Sequence, residues 1–391
     1  MRPLVLTAST IVSAIGRGAA QTLAALRERR SGLVPCDFQG IAGGFVGRVP
    51  GIEAHALPPE LARFDCRNNR LADLALRTDG FVAAVAAARD RLGVARIAVV
   101  LGSSTSGILS TEEAYRARDP RTGALPAGFD YDHTHEMFSL AHFVRTALGL
   151  RGPAMTVSTA CASSAQTFID ARHLIEAGVC DAAIVGGADS LCGMTLRGFA
   201  SLELISPVPC APCDAARAGI SIGEAAGFAL LERGGDGVAL VGCGASSDGY
   251  HMSAPHPEAA GAVAAMRAAL ASAGLSPADI DYVNLHGTGT PANDAMEDRA
   301  MLAVFGAATP CSSTKGWTGH TLGASGIVEA VISGLCLRHG LLPGGLNVAT
   351  LDPAFRARVL LRNAGVPVRR VMSNAFGFGG INCSLIFATG T

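Results

Sequence analysis

Charge of one sign is what this chain most plainly lacks. Thirty-one basic residues face thirty-two acidic ones, the net charge is −1, and charged residues make up only 16% of the 391. Nothing global therefore points to nucleic acid or to an anionic membrane, and a charged partner must be met by a local patch. Long apolar runs are missing as well, none approaching the roughly 18 residues of a membrane-spanning helix. At the N-terminus Arg2 precedes an apolar run, but Thr7, Ser9, Thr10 and Ser13 interrupt it, which suits a strand and turn better than a signal peptide. This predicts a soluble, cytoplasmic protein. The eleven cysteines are odd in number and irregularly spaced, which argues against a disulfide framework and for a reducing compartment. The one CxxC, Cys210 to Cys213, has no second pair at zinc-site spacing, so no metal is assigned there.

What the chain has in abundance is small and apolar: 49% hydrophobic residues and 48 glycines, the composition of a heavily buried α/β protein with many tight turns. Its length suits two lobes of ordinary domain size. Residues 3–8 read as a strand, 17–30 as a short helix, 34–60 as loop with short strands, and 66–92 as one long helix ending at Gly93. An all-apolar strand, Ile97 to Leu101, then runs into GSSTSG. The same order of events recurs late in the chain, with a helix at 259–273 and a strand around Asp281 to Leu285 that runs into HGTGT. VSTACASSAQTF (157–168) is likewise echoed by SSTKGWTGHTLGASG (312–326), and AAGFALLE (225–232) by NCSLIFAT (382–389). This duplication predicts two similar α/β halves, 1–235 and 236–391, with a capping insertion at 190–224 in the first.

Cys161 stands where an apolar strand meets small residues and then a helical pattern. A thiol at a helix start receives free N–H donors and the positive end of the helix dipole, both of which lower its pKa. Taken alone, the stretch fits a buried structural cysteine equally well. Pseudo-twofold symmetry, however, brings Cys161 toward His286 and His320, which lie at strand ends of the other half. A cysteine forms thioesters, and two neutral imidazoles can aim two donors at one carbonyl oxygen. The set reads as acyl transfer followed by decarboxylative carbon–carbon condensation.

From RPLVLTASTIVSAIG through TACASS, GEAAG, HGTGT and KGWTGH to NAFGFGGIN (374–382), the chain resembles an elongating β-ketoacyl-acyl carrier protein synthase, a condensing enzyme of the fatty-acid, polyketide or polyene type in the thiolase superfamily. The resemblance implies an α/β thiolase fold, its two halves forming a five-layer α-β-α-β-α sandwich. It assigns Cys161 as the acyl-accepting nucleophile, with its own amide and that of Phe378 as the oxyanion hole. Phe378 is also the gate, and His286 and His320 bind the malonyl thioester carbonyl. Lys315 and Glu329 form a supporting ion pair, and Asp294 and Glu297 are structural. Met137, Phe138 and Phe199 line the acyl tunnel, in the first two cases across a dimer interface. Arg63, Arg67 and Arg70, at i, i+4 and i+7, share a helix face that docks the acyl carrier protein. No cofactor is implied, the substrates riding on the carrier's phosphopantetheine. The partners implied are that carrier and either a second copy or a chain-length-factor-like paralogue, with neither nucleic acid nor membrane.

Three positions depart from the family pattern: APCD (211–214), GEAAG (223–227) and Ile220, where phenylalanine is usual. They point to a specialised polyene or polyketide pathway. His133 and His135, at HxH spacing, supply only two ligands and no metal is assigned to them. A non-catalytic chain-length factor would lack the nucleophile. A thiolase would carry a second cysteine near the GFGG run, and an initiating synthase asparagine at 320.

Overall fold

The computed structural model describes residues 3–41 and 43–390. In the first half, β1 (Leu4–Ser13), β2 (Ile97–Gly102), β3 (Ala154–Val157), β4 (Ala182–Asp189) and β5 (Ala225–Arg233) run in the order β3-β2-β4-β5-β1. β3, β2 and β4 are parallel, whereas β5 and β1 join antiparallel. The second half repeats this with β6 (Val238–Ser247), β7 (Tyr282–Asn284), β8 (Pro310–Ser312), β9 (Arg370–Phe376) and β10 (Ile381–Thr389), in the order β8-β7-β9-β10-β6. Here β8, β7 and β9 are parallel and β10 and β6 antiparallel. The sheets meet where β1 pairs with β6 at Leu4↔Leu240, Val5↔Ala239 and Leu6↔Val238.

The helices that matter are α1 (Gly18–Glu28), α2 (Arg67–Leu76), α3 (Phe81–Leu92), α4 (Ile108–Arg116), α5 (Ser139–Ala147), α6 (Ser163–Glu176), α7 (Gly193–Ser201), α8 (Ala260–Ala273), α9 (Pro291–Phe305) and α10 (Ser325–His339). α6 and α10 touch each other and both sheets, while α2, α3 and α5 cover the outer face of the first sheet and α8 that of the second. The result is the expected five-layer sandwich. A helix in its middle has no solvent face, and every residue from Ser325 to Leu337 is buried. β2, IAVVLG, is buried along its whole length, as a parallel strand covered on both faces must be.

The predicted single helix over 66–92 is instead two, α2 and α3. Asp79 and Gly80, at φ 54° and 72°, turn the chain left-handed between them. The break has a use, because the Asp79 carboxylate accepts the Ala19 N–H at the start of α1. Cys210 and Cys213 are buried, the Cys210 thiol donating to the Lys315 carbonyl.

Candidate active site

β3 carries the chain to a turn at Ala160, whose φ of 49° costs a non-glycine residue about 1–3 kcal/mol. Its carbonyl accepts from the Ser104 and Ser163 hydroxyls at 3.0 and 2.6 Å, which holds the turn. Cys161 follows, only 5% exposed, with α6 beginning at Ser163. Gly377 passes so close that a Cβ there would lie 2.8 Å from the Thr159 carbonyl and 3.2 Å from the Cys161 nitrogen. Burial is the largest influence on the thiol and pushes it up to about 11. The Phe378 N–H, Lys315 and the Cys161 N–H pull the other way and do not compensate. The lowering expected from the helix start is therefore outweighed by desolvation.

The histidines arrive from the other half. His320 is pinned through its backbone, donating to the Ser221 carbonyl at 2.7 Å and accepting from the Gly223 N–H at 2.8 Å. Its Nε2 lies 3.0 Å from Cys161 Sγ and its Nδ1 3.0 Å from Ser325 Oγ. His286 and Gly287 donate their N–H groups to the two oxygens of Glu297 at 2.6 and 2.7 Å. Lys315 Nζ reaches the His286 carbonyl and Glu329 Oε1, each at 2.5 Å, and lies 3.4 Å from His286 Nδ1. Donation from Lys315 to Nδ1 leaves the His286 proton on Nε2. Burial first, then the Lys315 charge, hold both imidazoles well below the usual histidine range, so both are neutral. Their rings stand 5.3 Å apart at 85°. Burial raises Glu329 and Glu297 each to about 7.

The ligand atoms of Cys161, His286 and His320 lie within 4.8 Å of one another. That donor set has the softness a zinc ion prefers, but the fixed cation at Lys315 opposes a second positive charge there. His133 and His135 do not converge: His133 Nδ1 meets Asp130 at 2.8 Å and His135 Nδ1 meets Thr111 at 2.6 Å.

All three residues open on a cavity of about 360 Å³. One wall comes from the insertion, with Phe199, Leu202, Leu204 and Ile220, and another from Phe376, Phe378 and the 248–255 loop. Phe378 rests against Phe199 with ring centroids 5.6 Å apart. Gly379, at φ 81°, donates to the Met252 carbonyl, and the Asp248 N–H donates to the Gly380 carbonyl. Thr288, Thr290 and Asn293 supply polar lining.

The structure thus brings Cys161, His286, His320, Lys315, Glu329, Phe378 and Phe199 together around one site. Met137 and Phe138 do not line the cavity in this chain; Phe138 stacks on His142 and packs against the first-half core. The arginine patch needs correction. Arg63 lies in a separate short turn, Pro59–Phe64, so the three do not share a helix face. Arg67 is nine-tenths buried and bonds Glu224 at 2.8 and 2.7 Å, with Glu53 on its other side, while Arg70 is held by Asp65. Arg67 is a buried strut, its guanidinium committed to the glutamate of GEAAG. Glu297, expected to be structural, holds the His286 backbone. Lys315 carries a further signal in the sequence, as the only lysine in the chain.

Fold and site together define a condensing enzyme of the thiolase fold. The Beta-ketoacyl synthase N-terminal domain matches residues 1–236 and its C-terminal domain 238–349, and the chain belongs to the β-ketoacyl synthase family. Nodulation protein E of Rhizobium sp. (strain N33) is 33% identical over 403 residues, 99% of each chain. The mitochondrial 3-oxoacyl-[acyl-carrier-protein] synthase of Arabidopsis thaliana is 41% identical over 264 residues, 62% of this chain and 57% of that protein's length. A ketosynthase (ApeO) solved in complex with its chain length factor (ApeC) from Xenorhabdus doucetiae superposes with a TM-score of 0.91 at 40% identity, covering 99% of this chain and 98% of that one. No helix among the described residues is long and apolar enough to cross a membrane.

Proposed function

We propose that the protein transfers an acyl group from a carrier-bound thioester to Cys161 and then condenses it with a carrier-bound malonyl group, releasing carbon dioxide. In the first step the Cys161 sulfur attacks the thioester carbonyl, the carrier thiol departs, and the thiol proton leaves with it overall. His320 keeps its proton on Nε2, 3.0 Å from Sγ, where the N–H faces the developing thiolate. The Cys161 and Phe378 N–H groups, both close to the sulfur, serve the oxyanion. In the second step the malonyl carboxylate leaves as carbon dioxide, and the charge that develops on the thioester oxygen is met by the His286 and His320 Nε2–H donors. The resulting enolate carbon attacks the acyl carbonyl, the Cys161–acyl bond breaks, and a β-ketoacyl carrier results. Lys315, paired with Glu329, holds His286 in the donor tautomer.

The observation that carries this reading is the convergence of a thiol and two neutral imidazoles within 4.8 Å in the lining of one cavity. Phe378, on glycine-flanked backbone against Phe199, serves as the gate between the two steps. The partners we assign are an acyl carrier protein and a second subunit, either another copy or a chain-length-factor-like paralogue. The half-exposed β3 lies at the outer edge of the sheet, which supports pairing there, and Met137 and Phe138 would then line the partner's tunnel. Like its relatives among ketosynthases, the chain is assigned substrates carried on phosphopantetheine and no further cofactor. Residues 1–235 and 236–391 are taken as the two halves, in keeping with where the two family domains meet. Incubation with acyl carrier protein followed by intact-protein mass spectrometry tests the nucleophile. One acyl mass on the native protein and none on Cys161→Ala is expected; equal labelling of both overturns it.

A further inference from the structure

Asp189, the last residue of β4, is fully buried and takes no part in the steps above. Its Oδ1 accepts from Ser103 Oγ, the Ser104 nitrogen, the Thr105 nitrogen and Thr105 Oγ1, all at 2.8 Å. Its Oδ2 accepts from the Gly323 nitrogen at 2.5 Å, and that bond crosses from one half of the molecule to the other. Gly323 lies three residues beyond His320, after Leu322 in the left-handed region at φ 53°. A Cβ on Gly323 would lie 2.6 Å from Ser104 Oγ and 2.7 Å from Asp189 Oδ2, so only glycine permits this approach. On the other side Ser104 Oγ donates to the carbonyl of Ala160, the strained residue directly before Cys161.

A single polar path therefore runs Gly323, Asp189, Ser104, Ala160. It begins three residues from His320 and ends one residue from Cys161. These are charge-assisted or buried bonds between otherwise independent loops, so their lengths are stiff. We infer that Asp189 is a positioning residue that sets the Cys161 to His320 separation by clamping the two catalytic loops across the interface of the halves. The inference rests on the reading of Cys161 and His320 given above.

Asp189→Asn isolates the clamp, because the amide can keep its oxygen toward the four first-half donors and must then turn an NH2 toward the Gly323 N–H. The cross-half bond is lost, together with the longer 3.1 Å contact from the Ser104 nitrogen to Oδ2, whose 2.8 Å bond to Oδ1 remains. Condensation should fall about 10- to 100-fold in kcat, the loss expected of a catalytic pair displaced by about 1 Å, with KM for the malonyl carrier unchanged. In a His320→Ala background the same substitution should cost no more than about twofold, since its effect passes through His320. An equal fold-loss in both backgrounds, or normal condensation in Asp189→Asn, overturns the inference. If His320→Ala alone leaves condensation intact, the reading of the site has failed and the clamp with it. Should Asp189→Asn not fold, Ser104→Ala breaks the same path at Ala160 alone, and self-acylation should then slow about fivefold at unchanged thermal stability. An unchanged rate there overturns the clamp.

Discussion

β2 and β7 occupy equivalent places in the two halves, and each runs into a loop whose N–H groups are tied to a buried carboxylate. After β2, Ser104 and Thr105 donate to Asp189, which arrives on the neighbouring strand. After β7, His286 and Gly287 donate to Glu297, which arrives on the following helix α9. The scaffold is repeated but the chemistry is not. In the first half the tied loop presents only hydroxyls and serves the turn at Ala160. In the second it presents an imidazole, and Lys315 and Glu329 stand behind it. Catalysis divides between the halves: the nucleophile comes after β3 in the first, the charge stabilisers after β7 and β8 in the second, and all three face one cavity.

The severest way to break this asymmetry is to remove the buried cation that stands behind His286. Lys315→Ala leaves Glu329 buried without a partner, since its Oε2 already has none. Loss of one member of such a pair should cost about 3–5 kcal/mol in urea unfolding, along with condensation itself. A loss under about 1 kcal/mol would show that the pair is not desolvated as described. A milder change sharpens the comparison at the matching carboxylate. Glu297→Gln opposes an NH2 to one of the two N–H groups it holds, so condensation should drop about 10- to 100-fold while self-acylation stays within about twofold. Parallel losses in both steps would mean that Glu297 supports the fold and not His286.

The smallest effect concerns the thiol in the first half. With burial holding Cys161 up near 11, alkylation by iodoacetamide should rise about tenfold per pH unit from about pH 7 to pH 9, without a plateau, because the thiolate is the reactive form. A plateau near neutral pH would mean that Cys161 and His320 rest as an ion pair.

Much of this was legible in the sequence because the repeated strand ends are marked by small residues, and small residues are what a close approach of two backbones demands. Gly377 and Gly323 show the reason: a methyl group at either would strike the opposing loop. Cys161, His286, His320, Lys315, Glu329 and Phe378 were all readable from their motifs. What could not be read was which polar group meets which. Arg67 looks like any arginine on a helix, and its partner Glu224 lies 157 positions away. The elevated thiol was equally hidden, because local position announces the helix start while the depth of burial is set by the whole fold. Asp189 gives only a faint signal, a single acid ending an otherwise apolar strand, AAIVGGAD.

The division of labour between the halves is tested most directly by His286→Ala, since His286 belongs to the second half and is held by Lys315 and Glu297. Self-acylation from an acyl carrier and carbon dioxide release from a malonyl carrier are measured on the same preparation. Acylation should stay within about threefold of the native rate, while carbon dioxide release falls roughly 100-fold or more, the usual loss for a removed charge-stabilising donor. Equal loss of both activities, or undiminished carbon dioxide release, would contradict it.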